Sequence, residues 1–121
     1  MGKRLLSKVK DVMVTQNLPI ISEEDSLTDV IHTISAGRLG LALVVKNEAV
    51  VSIITDGDLR RTIERFEKNA FDLTARDFAK LAPLSVSQDT SVEHALQFME
   101  ERGVNALVVY DSDKLVGIVK K

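Results

Sequence analysis

The sequence predicts a mixed α/β (α+β) fold in which one order of elements, β-α-β-β-α, occurs twice. A helical stripe of apolar residues in the first half recurs in the second half with a shift of 65 positions. In each half, short runs of apolar and β-branched residues lie before and after that stripe, as is typical of strands in a small buried sheet. Neither half could bury its sheet alone, so we expect two small sheets packed face to face.

The repeated helix carries apolar residues at the i, i+3, i+4, i+7 spacing of one helix face. The two stripes are Leu27, Val30, Ile31 and Ile34 in the first half and Val92, Ala95, Leu96 and Met99 in the second. Before each stripe stands a hydroxyl residue with an acid three positions on, the pattern of a capped helix start. We expect Ser26, with Asp29, and Thr90, with Glu93, to form these caps.

An extended piece opened by a proline precedes each helix, at Pro19 and Pro83. A hairpin of two strands follows each helix. The best local match of the hairpins has a shift of 64, so we allow a one-residue slip in the loop before them. The hairpin strands are expected at 42–45 and 50–54 in the first half and at 106–109 and 115–119 in the second.

These elements divide the chain into two repeats and two connecting segments. We expect a connector over 1–8, a first repeat over 9–66, a linker over 67–73 and a second repeat over 74–121. The sequence stops before a final helix of the second repeat, which we therefore expect to be truncated. The connector mixes Lys and Arg with Leu, and this composition suggests a link from a preceding domain.

Composition excludes several classes of protein. With 121 residues, 45% apolar and 28% charged, the chain can bury one modest core or two small units. A net charge of −2 gives no electrostatic reason to expect nucleic acid as a partner. The absence of cysteine excludes disulfides and thiolate chemistry, and the apolar runs are too short to cross a bilayer. We expect a cytoplasmic protein without a metal site, since clustered His and Cys ligands are also lacking.

The candidate ligand site is the junction over 55–61, which reads TDGDLRR and follows an apolar strand. Free N–H groups and the positive end of a helix dipole favour an anion there, and the Asp58 carboxylate can accept hydrogen bonds from a ribose diol. Arg60 and Arg61 can clamp a phosphate bidentately, and the alternative is that they make solvent or subunit contacts. Helix capping is an alternative explanation of Asp56 and Asp58, since an acid at the N-terminus of a helix contributes about 0.3–1 kcal/mol through the dipole. Both interpretations stay open at this point.

The tandem repeats and this junction resemble a CBS-domain pair, a regulatory module that often binds adenosine-containing ligands. The segments 2–6, 9–13 and 55–61 are similar to the CBS region of D-arabinose 5-phosphate isomerases. In that family a sugar isomerase domain precedes the CBS pair and interconverts ribulose 5-phosphate with arabinose 5-phosphate, a precursor of the sugar Kdo. The resemblance implies that this chain is the regulatory region of such an isomerase and has no catalytic residues itself.

The nucleotide motif of CBS pairs, Gly-hydrophobic-x-Ser/Thr-x-x-Asp, maps in the first repeat onto a segment that begins at Ser52 in place of glycine. The resemblance implies that Thr55 faces a phosphate, that Asp58 binds ribose, and that Ile20 and Ile21 cover the base. The implied regulatory ligand is AMP, ADP, ATP or CMP-Kdo.

In the second repeat the same motif begins at Gly117, but Lys120 stands at the Ser/Thr position and the sequence ends before the aspartate. This departure supports an alternative in which the pair is a structural module that forms homodimers through its helices without a ligand. A third hypothesis, an enzyme in its own right, lacks a positioned base and a phosphate pocket.

Overall fold

The structure is a computed structural model that describes residues 7–78 and 82–121. Two three-stranded sheets and their helices follow the order predicted for the tandem α/β fold, which is confirmed. In the first repeat the elements are β1 (Ile20–Ile21), α1 (Leu27–Gly37), β2 (Leu41–Lys46), β3 (Ala49–Thr55) and α2 (Asp56–Phe66). The single turn α3 (Ala75–Phe78) comes next, and the second repeat consists of β4 (Ser85–Ser87), α4 (Val92–Arg102), β5 (Ala106–Asp111) and β6 (Lys114–Lys120).

Both sheets have the same topology. The strand orders are β1-β2-β3 and β4-β5-β6. The first two strands of each sheet are parallel and the last two antiparallel, because a helix crossover connects the former and a short turn the latter. The hairpin pairing is irregular at equivalent places, after Val44 in the first sheet and after Val109 in the second.

The predicted one-residue slip between the repeats is wrong. Strand β2 begins at Leu41 and β5 at Ala106, so Leu41 and not Ala42 is the counterpart of Ala106. Likewise, the carbonyl of Pro19 accepts a hydrogen bond in the first sheet, and the carbonyl of Leu84, 65 residues later, accepts the equivalent bond in the second sheet. The shift is therefore 65 throughout. The Ala-Leu-Val-Val identity suggested the false match, whereas inter-strand pairing determines the true register.

One of the two predicted helix caps is wrong. Ser26 caps α1 as predicted, with its hydroxyl accepting the N–H three residues on at 3.2 Å. In the second repeat, however, the cap is Ser91, whose hydroxyl accepts the N–H of His94 at 3.0 Å. In the sequence, Thr90 and Glu93 match the capping pattern as well as Ser26 and Asp29 do. The N–H of Thr90 instead closes the preceding turn.

Contacts divide the chain into two compact units. The continuous unit is Asn17–Pro83, and the discontinuous unit joins residues 7–16 to Leu84–Lys121. Each unit has its own core, to which the predicted helix stripes contribute. The fully buried side chains of largest volume are Leu27, Val30, Leu43, Val44 and Ile54 in the continuous unit and Val9, Met99, Leu107, Val108, Val109 and Ile118 in the discontinuous unit.

The segment before the first strand packs on the second repeat. It forms a 3-10 helix, Val9–Asp11, whose Val9 is fully buried among the residues of α4 and β5. The N–H of Val9 donates to the carbonyl of Thr90 at 2.7 Å. Residues 75–76 make the corresponding bonds to the carbonyls of Asp25 and Glu23 in the continuous unit.

The segment expected as a linker, 67–73, contains a second 3-10 helix, Glu67–Asp72. Its Ala70 is fully buried in the core of the continuous unit. This segment therefore contributes to packing.

Candidate functional site

The candidate site lies where β3 runs into α2. Thr55 is the N-cap of α2, with an extended backbone, and forms a reciprocal capping box with Asp58. The Thr55 hydroxyl accepts the N–H of Asp58 at 3.2 Å and donates to Asp58 Oδ2 at 3.0 Å. The N–H of Thr55 also donates to Oδ2, at 2.9 Å. The capping interpretation is confirmed for Asp58.

The second oxygen of Asp58 also has a partner. Arg61 Nη2 donates to Asp58 Oδ1 at 2.8 Å, forming an ion pair one helical turn apart. The Asp58 side chain is only 8% exposed, whereas that of Arg61 is 70% exposed. A buried carboxylate needs such partners, because an unpaired buried charge is costly. The exposed guanidinium therefore balances the charge of the buried acid.

The first turn of α2 has fewer free donors than the sequence suggested. The N–H of Asp56 donates to the carbonyl of Gly40 at 3.1 Å, and that of Asp58 is used in the capping box. Instead, the guanidinium of Arg61 lies against Gly57, where a Cβ would come within 3.2 Å of Nη1. Positive charge at this turn thus comes from the helix dipole and from Arg61 together.

The two isoleucines predicted to cover a base point to opposite sides of the sheet. Ile21 is 4% exposed and belongs to the core, whereas Ile20 is 48% exposed. Ile20 is aligned with Leu43, and Leu43 with Ile53 two residues before Thr55. Because side chains alternate along a strand, Ile20 and Thr55 share one face of the sheet. Of the pair, only Ile20 is on the face of the candidate site.

In the second repeat, a close backbone contact explains Gly117, the residue at which the nucleotide motif begins. Val14 and Ile118 exchange two backbone hydrogen bonds, of 2.8 and 3.0 Å. A Cβ on Gly117 would lie 2.7 Å from the carbonyl oxygen of Val14 and 2.9 Å from the sulfur of Met13. Glycine is therefore needed for packing at this position, and no signal in the local sequence reveals the contact.

Three exposed apolar side chains and an ion pair were not predicted from the sequence. Ile63, Phe66 and Phe71 are 40%, 38% and 60% exposed in the continuous unit. The i, i+3 spacing of Asp58 and Arg61 was the available signal for their pairing. Within residues 7–78 and 82–121, no three His, Cys, Asp or Glu side chains are grouped to hold a metal ion. No helix in those ranges has the length and apolarity needed to cross a membrane.

Comparison with known proteins identifies relatives over nearly the whole chain. A family profile described as CBS domain matches residues 9–65 and 75–121. The chain is 40% identical, over 99% of its length, to a probable arabinose 5-phosphate isomerase of Haemophilus influenzae. It is 34% identical, again over 99%, to the arabinose 5-phosphate isomerase KpsF of Escherichia coli. It spans only 36% and 37% of these two relatives.

Solved structures share the fold at lower identity. A putative acetoin utilization protein, AcuB, from Vibrio cholerae superposes with a TM-score of 0.82 at 23% identity, covering 96% of this chain and 85% of that one. The structure of CBSX2 in complex with AMP has a TM-score of 0.78 at 23% identity, covering 94% and 90%. The CBS domain pair of MJ0100, in complex with 5′-methylthioadenosine and S-adenosyl-L-methionine, has a TM-score of 0.81 at 19% identity, covering 95% and 90%.

Proposed function

The chain belongs to the CBS domain family, and we propose that it is the regulatory, ligand-binding region of an arabinose 5-phosphate isomerase. Its relatives named for that activity are 40% and 34% identical to it and nearly three times as long. We propose that the longer protein carries a sugar isomerase domain, interconverts ribulose 5-phosphate with arabinose 5-phosphate in the cytoplasm, and thereby supplies Kdo synthesis.

The ligand we propose is an adenine nucleotide or a nucleotide-like metabolite such as CMP-Kdo. The observation that carries this proposal is the junction of β3 and α2, where Thr55, Asp58 and Arg61 are joined by hydrogen bonds. Hydroxyl, carboxylate and guanidinium groups are suited to the phosphate and diol of such a ligand. The exposed Ile20 lies on the same face of the sheet as Thr55 and offers an apolar contact for a base.

Regulation requires that the ligand prefer one arrangement of the longer protein, because a ligand with equal affinity for two states does not change their populations. Coupling energies of about 1–3 kcal/mol are ordinary for such modules. Such a coupling would change the ratio of the two states of an attached isomerase domain by about 5-fold to 150-fold.

The test is a thermal-shift screen of the purified chain against AMP, ADP, ATP and CMP-Kdo. A ligand that binds only the folded state raises the melting temperature. At a ligand concentration of 100 times its Kd, the free energy of unfolding rises by about 2.7 kcal/mol. Asp58→Ala should abolish the shift, whereas Asp56→Ala, which changes an exposed acid of the same helical turn outside the capping box, should leave it intact. A shift that survives Asp58→Ala would place the ligand elsewhere.

A second candidate function is assembly, in which this region joins two copies of the protein. The exposure of three large apolar side chains favours it, namely Ile63, Phe66 and Phe71, since such groups mark interaction sites where they are contiguous. Light scattering on the wild type and on Phe71→Ser provides the test. A dimer that dissociates in the variant would support assembly through this surface, and a wild-type monomer at all concentrations would exclude it.

A further inference from the structure

The ion pair between Arg61 and Asp58 occupies the acceptor that a ligand diol would need. Asp58 Oδ2 already accepts two hydrogen bonds from Thr55, and Oδ1 accepts one from Arg61 Nη2 at 2.8 Å. The carboxylate is 8% exposed, whereas the guanidinium is 70% exposed and therefore has room to move. A diol that binds Asp58 therefore competes with Arg61 for Oδ1.

The displaced guanidinium would remain close to the first turn of α2. It already lies against Gly57, with Nη1 and Nη2 at 3.2 and 3.3 Å from the position of a Cβ on that residue. An anion at this turn is favoured by the helix dipole. A phosphate bound there would offer Arg61 a new anionic partner, with the bidentate geometry that guanidinium groups prefer.

We infer that Arg61 is a specificity switch: it closes Asp58 in the free protein and transfers to the phosphate of the incoming ligand, so that the site selects phosphorylated nucleosides over neutral ones. This inference rests on the proposed function, since it takes the β3–α2 junction as the ligand site. A nucleoside without phosphate breaks the Arg61–Asp58 pair and gives the guanidinium nothing in return. A nucleoside monophosphate exchanges one charge-assisted pair for another.

The test is calorimetric titration of the purified chain with AMP and with adenosine, in the wild type and in Arg61→Gln. The measured quantity is the ratio of the two affinities. The phosphate pair that Arg61→Gln loses is partly offset, because the pair with Asp58 no longer has to be broken, so the variant should weaken AMP binding by about 2-fold to 30-fold. The same variant should strengthen adenosine binding by up to about 5-fold, because the Arg61–Asp58 pair no longer has to be broken.

Arg60→Gln is the matched control. Arg60 is the adjacent exposed arginine on α2, and among the described residues it makes no ion pair. The Arg60→Gln variant loses the same charge as Arg61→Gln, so it reports the general electrostatic effect on the binding of an anionic ligand. The inference predicts a collapse of the AMP-to-adenosine ratio in Arg61→Gln and a much smaller change in Arg60→Gln. Arg61→Lys, which keeps the charge without the planar fork, should have an intermediate ratio.

The outcomes separate this inference from the proposed function. If AMP binds and the ratio is the same in wild type and Arg61→Gln, the switch is refuted while the ligand site stands. An equal collapse in both arginine variants would also refute it. If neither AMP nor adenosine binds wild type or Arg61→Gln, nucleoside binding fails as a whole. Circular dichroism of each variant confirms that the compared proteins are folded.

Discussion

Gly117→Ala is the most direct test of the close approach between residues 13–14 and β6. The added Cβ would lie 2.7 Å from the carbonyl oxygen of Val14, a backbone atom that cannot rotate away. The segment must therefore move outward. Its two backbone hydrogen bonds to Ile118, of 2.8 and 3.0 Å, would lengthen as it does so.

The magnitude follows from these contacts. Overpacking a well-filled site costs about 1–3 kcal/mol, and each weakened hydrogen bond costs about 0.5–1.5 kcal/mol. Replacing glycine in a strand raises the free energy of unfolding by about 0.5–1 kcal/mol, because alanine restricts the unfolded chain. Taken together, these terms lower the expected free energy of unfolding by about 3 kcal/mol.

The assay is urea unfolding followed by far-UV circular dichroism, with hydrogen exchange of the Val14 and Ile118 amides as a local measurement. Gly57→Ala is the control, because the same added methyl meets only the flexible end of Arg61 there. That variant should be neutral or stabilising by up to about 1 kcal/mol. A loss below about 0.5 kcal/mol in Gly117→Ala, with unchanged amide protection, would refute the packing explanation of this glycine.

Three further predictions concern stability and are measured by the same urea titration. Asp58→Ala removes the capping box and the partner of Arg61, so we expect a loss of about 1–2 kcal/mol; an unchanged midpoint would contradict the role of the box. Ser91→Ala should cost about 1 kcal/mol and Thr90→Ala under about 0.5 kcal/mol, and equal effects would speak against Ser91 as the cap. Val9→Ala, at a side chain with no exposed surface, should cost about 2 kcal/mol, and a negligible loss would show that the segment before the first strand is dispensable for the core.

Local features of the site were predictable from sequence because they depend on neighbours along the chain. The spacing of Thr55 and Asp58 is that of a capping box, and the structure contains one. The pairing of Asp58 with Arg61 follows from the same helical geometry, although the expected partners of Arg61 were a phosphate, solvent or another subunit. Strand alternation would similarly have separated Ile20 from Ile21, which the family resemblance treated as one pair.

The register between the repeats was not predictable in the same way. The four-residue identity of the hairpin strands favoured a shift of 64, whereas the strand pairing shows that Leu41 corresponds to Ala106. Apolar residues of similar size are nearly interchangeable within a buried strand, so their identity carries little information about register. The burial of one face and the geometry of the turn determine the register, because a slip by one residue turns every side chain to the other face.

By itself, the sequence determined the order of the elements, the two helix stripes and the location of the candidate site at a strand-to-helix junction. Each of these depends on periodicity and capping over a few residues, which local interactions specify. Only the tertiary structure decided that Val9 is buried against the second repeat, that Gly117 leaves room for the Val14 carbonyl, and that Ile20 is the isoleucine on the face of Thr55. Those contacts join residues far apart in the chain, and their geometry exists only once the sheets have formed.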